Sequence, residues 1–253
     1  MFKKAIVRTP CAAMINGITS ANLGKPNLEK ALIQHQDYIQ ALKECGLEVT
    51  ILEANNEFPD STFVEDVALC TPHCAIITNP GAATRTQETE SMIPYIEDNY
   101  EHVEYIQVPG TLEAGDIMMV GNYYYIGLSD RTNKNGTVQM IAHLRKYGMD
   151  GTAVSMKDFL HLKTGLSYLE NNNLLVCGEF VSKSEFQQFN KIEIDADEAY
   201  AVNSVWINDI VITPKGFPKS KAKIEKLGYK IREVDASEFQ KLDGGLSCLS
   251  LRF

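Results

Sequence analysis

A helix that stops at a glycine and hands over directly to a strand occurs three times in this chain, and this repetition limits the fold more than any other feature. Leu28, Ala31, Leu32, His35, Tyr38, Ile39 and Leu42 fall on one helical stripe, Gly46 ends it, and Leu47 to Leu52 follows as a strand. The same order returns at Val138 to Tyr147, Gly148 and Thr152 to Val154, and again at Ala222 to Leu227, Gly228 and Tyr229 to Val234. Weaker helices fit Glu88 to Ile93, ended by Pro94, and Ser184 to Phe189, which gives five helices at a spacing of roughly fifty residues.

Short strand pairs precede the later helices: Phe63 to Cys70 with Ala75 to Thr78, Ile117 to Val120 with Tyr123 to Ile126, and Ser204 to Ile207 with Ile210 to Thr213. Each module reads as ββαβ, and the chain ends, Ala5 to Arg8 and Cys248 to Leu251, complete the fifth. Such units cannot bury their apolar faces alone, so the pattern predicts a closed ring, a five-bladed α/β propeller with pseudo-fivefold symmetry. An open α/β sheet is the alternative that periodicity leaves standing. No linker or shift in composition divides residues 1–253, which are expected to form one catalytic domain.

With 24 basic against 33 acidic residues the net charge is -9, and no Lys/Arg run is dense enough to follow a phosphate backbone. Nucleic acid is therefore not an expected partner, and a cationic small molecule suits the field better. The apolar run before Arg8 and Pro10 is too short for a signal peptide and no later stretch approaches a membrane span, so a cytoplasmic protein is expected. Cys11, Cys45, Cys70, Cys74, Cys177 and Cys248 are scattered through predicted elements and read as free thiols.

Cys248 follows paired glycines in Asp243-Gly244-Gly245-Leu246-Ser247-Cys248, and glycines there let backbone approach a ligand. The alternative is a buried cysteine on a terminal strand. His35 and His143 sit on helical stripes and His102 among acids; His73 lacks a second ligand pair for a metal. His161 stands between Leu160 and Leu162 ahead of Gly165, as a satisfied core histidine or as a positioned acid/base. Glu65 and Asp66 interrupt one apolar strand pattern, and Glu113 and Asp116 interrupt another at the matching place in the next module. Buried charges need partners, so these are ion pairs with Arg8, Arg85 or Arg131, or a pocket awaiting a cation.

Phe63-Val64-Glu65-Asp66, Glu113-Ala114-Gly115-Asp116, His161-Leu162-Lys163-Thr164-Gly165 and Asp243-Gly244-Gly245-Leu246-Ser247-Cys248 resemble, in order and spacing, the motifs of the dimethylarginine dimethylaminohydrolases. The resemblance implies the pentein fold, a propeller of ββαβ modules, and hydrolysis of asymmetric dimethylarginine or monomethylarginine to citrulline and a methylamine. It implies no cofactor and no metal. Carried over by position, it makes Cys248 the nucleophile, His161 the general acid/base and Glu113 the carboxylate that orients the imidazole.

The same resemblance places Asp60 and Asp66 at the guanidinium, Arg85 and Arg131 at the α-carboxylate, and Glu65 beside them in support. Gly17 to Lys25 resembles the family's lid, with Ile18 where leucine is usual. An arginine or agmatine deiminase and a non-catalytic binding module of the same fold are the rivals. Homodimerisation is left open.

Overall fold

The computed structural model describes residues 1–253. The first repeat runs through β1 (Lys4–Arg8), α1 (Leu28–Glu44) and β2 (Glu48–Leu52). The second holds β3 (Ala68–Cys70), β4 (Ala75–Ile77), α2 (Ile93–Glu97) and β5 (Val103–Tyr105). The third holds β6 (Ile117–Val120), β7 (Tyr123–Leu128), α3 (Lys134–Lys146) and β8 (Asp150–Ser155). The fourth holds α4 (Leu162–Gly165), β9 (Leu166–Tyr168), β10 (Asn173–Val176) and β11 (Asn190–Glu193). The fifth holds β12 (Val205–Ile207), β13 (Ile210–Pro214), α5 (Pro218–Glu225) and β14 (Lys230–Val234), before α6 (Ser237–Gln240) and β15 (Leu251–Arg252) close the chain.

Local chemistry explains the repeated boundaries. The side chain of Asn27 accepts the N–H of Lys30 at the start of α1, and that of Asn133 accepts the N–H of Gly136 at the start of α3. Gly46, Gly148 and Gly228 all take positive φ after their helices, where a side chain would be strained.

Five three-stranded sheets result, ordered β15-β1-β2, β3-β4-β5, β6-β7-β8, β9-β10-β11 and β12-β13-β14. In each, the middle strand runs antiparallel to its first neighbour and parallel to the other. The two chain ends share one blade, with Ala5 opposite Arg252 and Ile6 opposite Leu251.

The middle strands decide between ring and open sheet. Ala5-Ile6-Val7, Ala75-Ile76-Ile77, Tyr124-Tyr125-Ile126 and Leu174-Leu175-Val176 are buried at every position, as strands covered on both faces must be. Neighbouring residues enter different cores: Ile6 packs with Ala68 and Ala75, whereas Ala5 and Val7 pack with Val205 and Ile212. Ile76 joins Tyr124, Tyr125 joins Leu174, and Leu175 joins Val211. There are thus five cores, one between each pair of adjacent blades, and no blade is left at an edge. The fold is a five-bladed α/β propeller.

Several sequence expectations are corrected at this level. Pro94 does not end a helix; it sits in the first turn of α2, where its missing N–H costs nothing. The segment Ser184 to Phe189 is only a 3-10 turn over Ser184–Phe186, so the fourth blade crosses over without a regular helix. Its strands β9, β10 and β11, and β5 in the second blade, had no expected counterpart. Phe63 to Val67 and Cys248 are not strand: Val64–Val67 and Ser247–Leu249 are 3-10 turns that feed the short innermost strands. Ala114–Asp116, α4 and the turn Ala196–Val202 occupy the same place in the other blades.

These turns pack on one another and bring their polar side chains together. Glu65, 4% exposed, accepts a hydrogen bond from Ser247 Oγ at 2.8 Å and pairs with Lys163 Nζ at 2.6 Å and Arg252 Nη2 at 2.9 Å. Asn203 donates to the Lys163 carbonyl at 3.0 Å and accepts the Ser247 N–H at 2.9 Å. Turns from the second and fourth repeats and the closing segment Ser247 to Arg252 are thereby tied through one carboxylate, and Asn203 joins the fifth repeat to them. Glu65→Gln removes the buried charge and leaves two half-buried cations facing each other, so it should cost about 3 kcal/mol of folding stability. Denaturant unfolding measures this, and a loss below about 1 kcal/mol would show that Glu65 does not hold the blades together.

Candidate active site

The turn Ser247–Leu249 places Cys248, half-buried, at the wall of a cavity of about 150 Å³. The paired glycines before it serve packing more than ligand approach. A side chain at Gly244 would meet the Phe63 ring at 2.2 Å, and one at Gly245 would meet Asn203 at 2.4 Å. The Gly245 N–H donates to Cys248 Sγ at 3.4 Å. Burial, then Glu65 and Asp66, push the thiol up to about 12, so Cys248 rests as a neutral thiol at neutral pH.

His161 lines the same cavity and lies between two carboxylates. Its Nε2 is 3.4 Å from Glu113 Oε2 and its Nδ1 is 3.3 Å from Asp116 Oδ1. Burial opposes the charged imidazole, but Asp116 first, with Asp66 and Glu113, outweighs it and raises His161 to about 9. Asp116 is anchored independently: Ser129 Oγ and Thr132 Oγ1 donate to Oδ2 at 2.7 and 2.6 Å, and the Leu162 N–H donates to Oδ1 at 3.0 Å. The carboxylate thus caps the turn that begins beside His161 and faces its ring at once.

Glu113 is fully buried, and its Oε1 accepts the Ala82 N–H at 3.0 Å. Burial and the nearby Asp66 raise its pKa. Asp66 receives the Gly115 N–H at 3.0 Å and Arg85 Nη1 at 2.6 Å. Burial works against its charge, yet the Arg85 guanidinium holds it below the usual carboxylate range.

The cavity gathers nearly all the expected residues: Cys248, His161, Glu113, Asp66, Asp60, Arg85, Arg131 and Ile18 line it together. Glu65 is the exception. It lies behind Cys248 against Ser247, Lys163 and Arg252, outside the cavity lining, because its carboxylate is consumed in joining the blades. Arg85 is at the wall but heavily engaged, with Nε and Nη2 on Glu88, Nη1 on Asp66 and Nη2 on the Phe63 carbonyl. Four of its five donors are therefore used, so it holds Asp66 in place and has one N–H left for a ligand. Arg131 is freer, its Nη1 lying 3.4 Å from Glu113 Oε1. Asp60 accepts the Ile18 N–H, and burial raises its carboxyl to about 6.

The model of the family described as N,N dimethylarginine dimethylhydrolase, eukaryotic, matches residues 6–205. The N(G),N(G)-dimethylarginine dimethylaminohydrolase of Pseudomonas aeruginosa is 56% identical over 100% of both chains. The chain belongs to the dimethylarginine dimethylaminohydrolase family. Its relative of the same description in Streptomyces coelicolor is 31% identical over 99% of this chain and 96% of that one. The solved structure of a cysteine-to-serine variant of the Pseudomonas protein, complexed with citrulline, superposes with a TM-score of 0.99 at 55% identity and covers 100% of both chains. The N-terminal domain of the arginine dihydrolase ArgZ, at 21% identity and a TM-score of 0.89 over 100% of this chain and 97% of its own, shares the fold.

Asp116 was visible in the sequence only as a carboxylate in an apolar run, and Glu88 and Asn203 carried no signal at all. Their partners come from other segments, so no local pattern marks them. Asp116→Asn should leave His161 buried but without its strongest anionic neighbour, and its ring should titrate below about 7.5 instead of near 9. An NMR titration of the imidazole reads this, and an unchanged value would remove Asp116 from the site's electrostatics. The raised value also stabilises the fold below about pH 6.5, a contribution lost as pH rises through about 9, and the same substitution should flatten that loss.

Proposed function

We propose that this chain hydrolyses asymmetric dimethylarginine, and monomethylarginine, to citrulline and the methylamine, with Cys248 as nucleophile, His161 as general acid/base and Glu113 orienting the imidazole. The observation that carries the reading is that Cys248, the His161–Glu113 pair and the carboxylates of Asp60 and Asp66 line one small cavity. Acids outnumber cations around it, with Asp60, Asp66, Glu88, Glu113 and Asp116 set against Arg85, Arg131 and His161, which favours a cationic ligand. Arg131, with the donor left on Arg85, suits the ligand's α-carboxylate. The identity to the Pseudomonas dimethylaminohydrolase over the whole chain supports the methylated substrate.

A guanidinium resists attack because its charge is shared over three nitrogens. Holding it planar against carboxylates presents the central carbon to sulfur. The bound cation also offsets the acids that keep Cys248 protonated, so the thiol releases its proton to solvent as substrate settles. The thiolate bonds to the central carbon, the carbon–dimethylamine bond breaks, and the protonated His161 supplies the leaving nitrogen with its proton. Neutral His161 then takes a proton from water as the oxygen attacks the thiouronium; sulfur leaves, citrulline forms and Cys248 regains a proton.

Asp66, Glu113 and His161 have ligand atoms within 4.8 Å of one another, but guanidinium groups and backbone N–H groups already occupy both carboxylates, and we assign no metal to them. No helix is long and apolar enough to cross a membrane. We place the enzyme in the cytoplasm, acting as one unit over residues 1–253 and free of nucleic acid; homodimerisation is compatible with this scheme.

Cys248→Ala and His161→Ala should each cut citrulline formation from dimethylarginine by more than about a thousandfold while the protein stays folded. The parent assayed on dimethylarginine, arginine and agmatine should prefer the first. Substantial turnover by the Cys248 variant, or preference for an unmethylated substrate, would overturn the proposal. Alkylation of Cys248 by a neutral haloacetamide, in a variant lacking the other cysteines, should be slow at pH ~7 and speed up when a non-hydrolysable guanidinium is bound. Fast alkylation of the free enzyme at that pH would contradict the substrate-driven ionisation.

A further inference from the structure

We infer that Asp243 is the latch that holds the loop Gly17 to Lys25 closed over Cys248, and that it thereby positions the loop for substrate capture. Ile18, Thr19 and Ser20 form part of the wall of the cavity that contains Cys248, so the position of this stretch sets the shape of the space a ligand meets. Outside the 3-10 turn Ala12–Asn16 the loop has no regular structure, and Asn22 to Lys25 are exposed. Its restraints are few and concentrated. Asp243 Oδ2 accepts both the Ser20 N–H at 2.5 Å and Ser20 Oγ at 3.0 Å. Thr19 Oγ1 donates to the Lys241 carbonyl at 2.8 Å, and the Ile18 N–H donates to Asp60.

The turn that carries Asp243 is held by more contacts than the loop. Gly244 N–H donates to the Phe239 carbonyl at 3.0 Å, its own carbonyl accepts Tyr200 Oη at 2.9 Å, and its Cα abuts the Phe63 ring. Asp243 itself stands at φ +58, a left-handed conformation that glycine, and to a lesser degree asparagine, adopts with less strain. An aspartate kept in a strained position, with its carboxylate spent on two charge-assisted bonds to a loop more than two hundred residues away, points to a role for that carboxylate. Asp243 also lines the cavity, but its carboxylate is engaged by Ser20 of the loop, so we assign it as a positioning residue.

The proposal rests on the reading of the cavity as the substrate site, but its test does not need turnover. Asp243→Gly deletes the carboxylate while easing the backbone, so unfolding is not its expected result. Asp243→Asn keeps an acceptor and tolerates the left-handed conformation. In hydrogen exchange, the amides of Ile18, Ser20 and Ala21 should open about tenfold faster in the glycine variant, with the central strands unchanged and the asparagine variant close to the parent. Kinetically, the glycine variant should raise KM about fivefold with kcat within about twofold, since the latch acts on bound states alike. Unchanged loop exchange would overturn the latch, as would faster exchange throughout the chain. If the parent failed to turn over dimethylarginine, that would fall on the functional reading and leave the exchange result to decide the latch.

Discussion

Closing five blades into a ring forces the turns at their inner ends together, and the interaction on which everything else depends is the neutralisation of Glu65 there. One carboxylate accepts Lys163, Arg252 and Ser247 from segments far apart in the chain. Ser247 is bonded to Cys248, and Lys163 follows His161 by two residues, so the same contacts that join the blades also locate the thiol and the imidazole relative to each other. Buried ion pairs of this sort contribute little net stability because their desolvation is costly. Their value lies in specifying a single arrangement of turns.

On the cavity side of that junction the charge is uneven. Asp66 and Arg85 hold each other, with Glu88 behind the guanidinium, and the imidazole of His161 lies between Glu113 and Asp116. The resting site is thus a protonated histidine beside a protonated cysteine: the nearby acids favour the proton on both groups, whereas burial opposes the charged imidazole and favours the neutral thiol. An anionic sulfur is disfavoured until a cation enters. On the mechanism we propose, occupancy of the cavity by a cation triggers reactivity, and a free thiol that is mostly neutral is protected from adventitious electrophiles.

Much of this was legible beforehand. The helix–glycine–strand repeats announced the ring because the glycines that stop α1 and α3 stand at positive φ, a requirement visible in the residue type itself. His161, Glu113 and Asp66 stood out because a charge or an imidazole inside an apolar run has to be explained, Cys248 because paired glycines precede it, and their roles rested on the resemblance of the four motifs. The fourth blade was obscure because its crossover has no regular helix, leaving no 3.6-residue period to detect. Glu65 neighbours Asp66 in the chain, yet it lies behind the cavity rather than in its wall. In the 3-10 turn that replaces the expected strand, the two carboxylates diverge, one to the blade junction and one to the cavity.

The sequence by itself determined the repeat and singled out most of the polar side chains of the site, since periodicity and out-of-place polar residues are properties of local segments, whereas closure of the ring was decided by the packing of both faces of the middle strands. Tertiary structure alone decided which carboxylate serves the imidazole from each side, which arginine keeps donors for a ligand, why Gly244 and Gly245 are needed, and what grips the loop at Ser20. Each of those depends on distances between atoms tens to hundreds of residues apart. Coulombic and hydrogen-bond terms fall off within a few ångströms, so they are set only once the blades have packed.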